Sequence, residues 1–142
     1  MEPIRRVSNV VLYNDNNEVL VQQRTDDAPI YPSYYSLFGG KIDGDESAKD
    51  AAIRECIEEL NYQLQDPTLV IHEFHDSEYG KREKFIFVEK FDNTKELTLN
   101  EGQGMKWIGV DALEGTVMIP HDKHYLKKIF ENNFKPLWLI YY

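Results

Sequence analysis

GKIDGDESAKDAAIRECIEELNY, residues 40–62, sets five charged side chains at fixed offsets from a glycine: Glu46, Arg54, Glu55, Glu58 and Glu59 follow Gly40. Successive residues of a helix turn by about 100°. On that geometry Glu55, Glu58 and Glu59 share one narrow sector, and Ile53, Cys56, Ile57 and Leu60 fall in the opposite one. One face is therefore apolar and can dock on a core, while the other projects three carboxylates into a small volume. Like charges three and four residues apart cost a helix about 0.2–0.5 kcal/mol per pair. A chain that tolerates them either leaves them solvated, as most acidic helix faces are, or uses them to hold cations. The flanking residues bear on that choice. Gly39-Gly40 precede the helix, Glu46 stands near its start, and Arg54 lies immediately before the cluster.

The pattern G-x5-E-x7-R-E-hydrophobic-x-E-E-x-G-hydrophobic is the Nudix box, and this segment resembles it in register. Cys56 takes the first hydrophobic position, Asn61 stands where the family has Gly, and Tyr62 takes the last position. Asn is the usual substitute for Gly at a left-handed helix cap. Upstream, Tyr35-Ser36-Leu37-Phe38-Gly39-Gly40 is similar to the family's W-x-L-P-G-G. Downstream, Glu101-Gly102-Gln103-Gly104-Met105-Lys106-Trp107 resembles the E-G-Q-x-x-x-W loop of the nucleotide-pool-cleansing, MutT-like branch. The resemblance covers roughly residues 5 to 133.

The resemblance implies an α/β/α sandwich with a mixed sheet and the box as a loop–helix–loop. It also implies a Mg²⁺- or Mn²⁺-dependent hydrolase of nucleoside diphosphates linked to another moiety. The E-G-Q loop points to a nucleoside triphosphate, oxidised ones included, cleaved to monophosphate and pyrophosphate. Dinucleoside polyphosphates, with Tyr79 as their hint, and nucleotide sugars stay open as substrates. A non-catalytic nucleotide-sensing or protein-binding module is the reading from another class, and the complete set of box glutamates argues against it. Carried over position by position, Glu55, Glu58 and Glu59 would be metal ligands, with a carbonyl of Gly39 or Gly40 completing a shell. Glu101 or one of the helix glutamates, Glu58 among them, would be the general base. Arg54 would pair with a neighbouring carboxylate, Glu46 being the candidate, and hold loop and helix together.

For substrate binding, Arg24 and Lys41 are the phosphate candidates because they border the box loops in sequence. Asp122 lies where the pool-cleansing branch carries base-recognising groups, yet it also reads as an ordinary helix N-cap, the reading favoured here. His72, His75, His121 and His124 read as packing or solvated histidines. Lys81, Arg82 and Lys84 are open to meeting a phosphate, but the reading favoured here is solvated charges beside a turn.

Composition is consistent with a small enzyme. The chain has 142 residues, enough for a single domain with a real core, and 42 % hydrophobic residues argue against disorder. One cysteine excludes an internal disulfide framework and suits a reducing compartment, so the cytosol is the expected location. Its place on the apolar helix face makes Cys56 a packing residue. No apolar run approaches the roughly 20 residues of a membrane span. A net charge of −9 excludes a broad nucleic-acid surface and repels free polyphosphates, a difficulty that divalent cations resolve.

Val7–Tyr13 and Glu18–Arg24 read as strands about an Asn-rich turn, and Tyr35–Phe38 as a short strand into the glycines. Ser47 or Asp45 is the candidate N-cap of the box helix. Leu69–His75 and Lys84–Phe91 read as a hairpin turning at Tyr79-Gly80, with Glu96–Leu99 and Met105–Val110 as further strands. Asp122–Asn132 reads as a second amphipathic helix. The apolar tail, Lys135–Tyr142, is expected to dock as a strand or on a partner, which leaves a homodimer open.

Overall fold

The computed structural model describes residues 4–77 and 80–137. Its strands are β1 (Arg5–Tyr13), β2 (Val19–Gln23), β3 (Tyr35–Ser36), β4 (Phe38–Lys41), β5 (Thr68–Ser77), β6 (Gly80–Lys90) and β7 (Gly104–Ile108). The helices are α1 (Ala48–Leu60), α2 (Val110–Leu113) and α3 (Pro120–Glu131). The strands join in one mixed sheet ordered β3-β2-β1-β6-β5, with β4 pairing β1 and β7 pairing β2. β1 runs parallel to β6 over its whole length, from Arg5 opposite Arg82 to Tyr13 opposite Lys90. β1 meets β2 only at Tyr13 and Val19, and β4 takes over the other end of that edge of β1, placing Gly39 opposite Asn9 and Gly40 opposite Ser8.

Alternation along the central strands builds two cores, because successive side chains of a strand point to opposite faces. Val11, Val19, Val21, Ile86 and Val88 pack with Tyr125, Leu126 and Ile129 of α3. Val10, Leu12, Leu20 and Phe87 pack with Ala52, Cys56 and Leu60 of α1. The sheet is thus sandwiched between helices, the expected α/β/α arrangement.

Helix α1 is capped as its sequence anticipates. The Ser47 side chain accepts a hydrogen bond from the Asp50 amide at 3.0 Å. Asn61 takes the left-handed conformation, φ 55° and ψ 37°, and donates its amide to Ile57 O at 2.9 Å.

Three expectations are corrected. The buried face of α1 is Ala51, Ala52, Cys56, Glu59 and Leu60, whereas Ile57 is 40 % exposed. Small residues let the helix settle close to the sheet, with Ser8 Oγ donating to Ala48 O at 2.8 Å, and this rotation draws Glu59 inward. Glu96–Leu99 is not a strand. Thr98 N donates to Leu60 O, Asn100 N to Glu59 O, and Asn100 Nδ2 to Glu58 O. Helix ends leave their last four carbonyls without intrahelical partners, and this segment, with Asn61, satisfies them. Finally, α3 begins at Pro120, a residue suited to the first helical turn. Asp122 therefore lies inside the helix and does not cap it; the N-cap is Ile119, which makes no side-chain capping bond.

Leu137 packs on the core. The expectations for Tyr79 and for residues 138–142 lie outside the described residues. No helix among the described residues is long and apolar enough to cross a membrane.

Candidate active site

Arg54 sits at the centre of the box. Its Nε and Nη2 donate to the two carboxylate oxygens of Glu46 at 2.8 and 2.9 Å. Its Nη1 reaches Glu55 at 3.0 Å and Glu58 at 3.2 Å, and Nη2 also donates to Lys41 O at 3.1 Å. The bidentate pair holds the Glu46 carboxyl down at about 2, with Asp43 N adding a further hydrogen bond. The loop between β4 and α1 is thereby tied to the helix at both ends.

Glu59 is the inner member of the cluster. It is 2 % exposed and accepts Gly39 N at 3.0 Å. Burial pushes its carboxyl up to about 8, against the Gly39 bond, and the charges of Glu55, Glu101 and Glu58 add to the effect. Glu55 is raised first by burial, with Arg54 opposing. It lies directly beneath Gly40: a Cβ there would stand 2.5 Å from Glu55 Oε1. Gly39 has φ 135°, and a Cβ on it would run into the Ser8 carbonyl. Gly39 is therefore required by close approach to backbone, whereas at Gly40 it is the flexible end of Glu55 that would have to move aside.

Whether this cluster suits a divalent ion follows from its donors. They are carboxylate oxygens beside exposed backbone, the hard set that Mg²⁺ and Mn²⁺ take. Two of them are pushed toward the neutral form by burial and by neighbouring negative charge, which a cation would relieve. The residues fit. Their oxygens are not gathered, however: among the described residues no three His, Cys, Asp or Glu converge at metal-holding distance, because Glu55 and Glu58 turn to Arg54. Glu58 is half exposed, its carboxylate held only by Arg54 Nη1 at 3.2 Å. Glu101 is exposed and near enough to influence both Glu55 and Glu59.

A cavity of about 560 Å³ opens beside Gly39 and Gly40, on the α3 side of β1 and β6. Arg24 and Asp122 line it, whereas Lys41 is exposed and outside the lining. Arg24 is held by its Nε bond to Ile30 O at 2.9 Å. Asp122, 6 % exposed, accepts Leu37 N at 3.1 Å and stands 3.9 Å from Lys84 Nζ. Lys84 in turn donates to Asn9 Oδ1 at 2.6 Å, and Asn9 Nδ2 to Phe38 O. Burial depresses the Lys84 ammonium while Asp122 opposes.

Asn9 and Ser36 went unread in sequence, and Lys84, read there as a solvated charge, is instead buried against Asn9 and Asp122. The signal for Asn9 was present, since Ser8-Asn9 interrupts an otherwise apolar strand. Nothing local marked Lys84, whose partners come from β1 and α3. The histidines pack or pair: His72 stacks on Phe85 and meets Glu83 at 2.8 Å, while His75 stacks on His121 and meets Tyr125 Oη at 3.0 Å.

An α/β/α sandwich carrying an Arg-locked carboxylate helix against a double glycine defines a class of hydrolase, and sequence comparison names it. The family model described as NUDIX domain matches residues 3–130, and the chain belongs to this family. It is a pyrophosphohydrolase acting on nucleotide substrates. The chain is 28 % identical over 131 residues to the uncharacterized Nudix hydrolase YvcI of Bacillus subtilis, covering 89 % of this chain and 79 % of that one. Over 69 residues it is 35 % identical to dihydroneopterin triphosphate diphosphatase of Haemophilus influenzae, covering 48 % and 41 %. The crystal structure of a MutT protein from Methanosarcina mazei superposes with a TM-score of 0.80 at 19 % identity, covering 94 % and 98 % of the two chains, and shares the fold.

Proposed function

We propose that the protein hydrolyses nucleoside triphosphates to the monophosphate and pyrophosphate with Mg²⁺ or Mn²⁺ held by Glu55, Glu58 and Glu59. The observation that carries this reading is the Gly40–Glu55 approach: only a bare backbone leaves room for a carboxylate there, so a phosphate can come close to both. A relative named for a triphosphate diphosphatase supports the substrate class.

What the cation supplies when bound is neutralisation of phosphate charge and acidification of the attacking water. Arg54 keeps Glu46, Glu55 and the Lys41 carbonyl in fixed relation, so the loop presents the glycine backbone to the substrate. Glu59 stays anchored by Gly39 N. Glu101 takes the water's proton, or Glu58 does. Arg24 and Asp122 hold the nucleoside side of the substrate. Phosphoryl transfer asks for positioning and charge balance more than covalent help, which suits a site made of carboxylates and backbone.

A panel of nucleoside triphosphates, dinucleoside polyphosphates and nucleotide sugars with Mg²⁺, quantifying phosphate and pyrophosphate separately, tests the reading. Pyrophosphate from at least one triphosphate is expected, and Glu58→Gln is expected to lose most of that activity while remaining folded. A silent panel, or a fully active variant, rejects it.

A further inference from the structure

Strand β5 closes the sheet on one side. Among the described residues it pairs with β6 alone, so one edge of a 10-residue strand carries no neighbour. Proteins blunt such edges with lysine, proline, bulges or very short strands, because an open edge is a template for another chain. Thr68–Ser77 contains neither lysine nor proline, and its one register irregularity lies near its start, between Leu69 and Ile71. From His72 to Asp76 the pairing with β6 is regular. In the middle of that stretch stands Phe74, 63 % exposed and the most exposed large hydrophobic side chain among the described residues.

Successive side chains of the stretch alternate between the faces of the sheet. His72, which stacks on Phe85, shares the α1 face with Phe74 and Asp76, whereas His75, which meets Tyr125 of α3, shares the other face with Glu73. A second copy of β5 laid antiparallel on this edge by a two-fold axis keeps the faces continuous only if the axis passes through a residue, not between two. Through Phe74, it sets Phe74 against Phe74, Glu73 against His75 and His72 against Asp76. Both carboxylates then face an imidazole and the exposed ring faces its own copy, pairs of the kind that stabilise a sheet. His72 meets Glu83 through Nε2, which leaves Nδ1 for Asp76, and His75 meets Tyr125 through Nδ1, which leaves Nε2 for Glu73. An axis through Glu73 would set Glu73 against Glu73, and like charges directly opposite are destabilising. An axis through His75 would set His75 against His75 and Asp76 against Phe74. The stretch is self-complementary in one register.

We propose that β5 joins two copies of this chain into one continuous antiparallel sheet, with the two-fold axis at Phe74. His75 and Asp76 line the cavity beside the box. In the dimer Glu73 and His72 of the second copy stand next to them, so both copies border each cavity. Five residues a side make a small contact, and monomer and dimer are expected to exchange with concentration. The dimer does not depend on the reaction proposed above.

Sedimentation equilibrium of the full chain over a rising concentration series tests the contact. The average mass is expected to climb from one chain toward two, and Phe74→Arg, a change at an exposed position, to hold it at one chain with an unaltered Tm. Crosslinking reads the register. Antiparallel partners place their Cα atoms about 4.5–5.5 Å apart, within disulfide reach, and buried Cys56 takes no part. Phe74→Cys is expected to link two copies under mild oxidation, and Val117→Cys, 60 % exposed on another surface, to stay unlinked. Asp76→Cys is expected to link to His72→Cys in a mixture of the two and not to itself, since its own copy lies about 13 Å away along the strands. A wild type that remains one chain throughout, or a dimer indifferent to Phe74→Arg, overturns the proposal. So does a Phe74→Cys variant that links no better than Val117→Cys, or self-linking of Asp76→Cys.

Discussion

Asn100 donates its side-chain amide to the Glu58 carbonyl at 3.0 Å, and its backbone amide to the Glu59 carbonyl at 2.9 Å. The residue before Glu101 is thus fastened to the very turn that carries the proposed metal ligands. Both bonds use carbonyls that a helix terminus leaves open. The loop is pinned to the helix end, and Glu101 goes where Asn100 puts it.

Replacing Asn100 with Ala removes the side-chain bond alone. The expected outcome is a stability loss of about 1 kcal/mol, with kcat falling and KM nearly unchanged, because substrate contacts are untouched. Steady-state kinetics on the triphosphate found in the panel check this. A rise in KM at constant kcat would assign Asn100 to substrate binding and contradict a positioning role.

Gly40→Ala sets a methyl 2.5 Å from Glu55 Oε1. The contact is with the far end of a flexible side chain, so the carboxylate swings aside at little cost in stability, and activity is expected to fall because that carboxylate is displaced. Adding Glu55→Ala should not recover activity. A double-mutant cycle in kcat reads the coupling; strictly additive costs would mean that the two residues do not meet.

The Glu46–Arg54 pair makes stability depend on acid. Glu46 has a folded value of about 2, below its ordinary 4.5. Its contribution is therefore fully present above about pH 4.5 and is lost as pH falls toward 2. Urea midpoints measured from pH 6 to pH 2 should fall more steeply for the wild type than for Glu46→Gln. Parallel curves would show that the pair adds nothing.

Cys56 is fully buried among apolar residues, and its thiol is pushed up to about 12, first by burial and then by Glu59. A thiol reagent at pH 8 is expected to find no reactive group in the native protein and one in 6 M guanidinium. Rapid native labelling would place the helix differently.

Removing or adding metal should register in stability as well as activity. An ion binding only the folded chain stabilises it by about 2.7 kcal/mol at one hundred times its dissociation constant. Mn²⁺ is expected to raise the Tm of the wild type, and Glu59→Gln to abolish most of the rise. An equal shift in both proteins would locate the ion elsewhere.

The box was legible in the amino-acid sequence because its residues are contiguous. Offsets of three and four along one helix translate directly into neighbouring side chains, so Glu55, Glu58 and Arg54 need no knowledge of the rest of the chain. The same holds for Ser47 and Asn61, whose capping bonds are local. Asp122 shows the limit: as the third residue of α3 it serves the amide of Leu37, between β3 and β4, and faces Lys84, partners 85 and 38 positions away. Glu96–Leu99 carries strand-like residues, yet its Thr98 amide goes to the end of α1.

The sequence by itself determined the family, the helix with its carboxylates and the alternation that gives the sheet two apolar faces. Tertiary structure alone decided how deeply Glu59 is buried, which cations meet in the cavity, and that Asn9, Lys84 and Asp122 form one chain of polar contacts. Helical periodicity is a property of consecutive residues. Burial and cross-strand pairing depend on which distant strand lies alongside, here the parallel union of β1 with β6, and no local pattern encodes that choice.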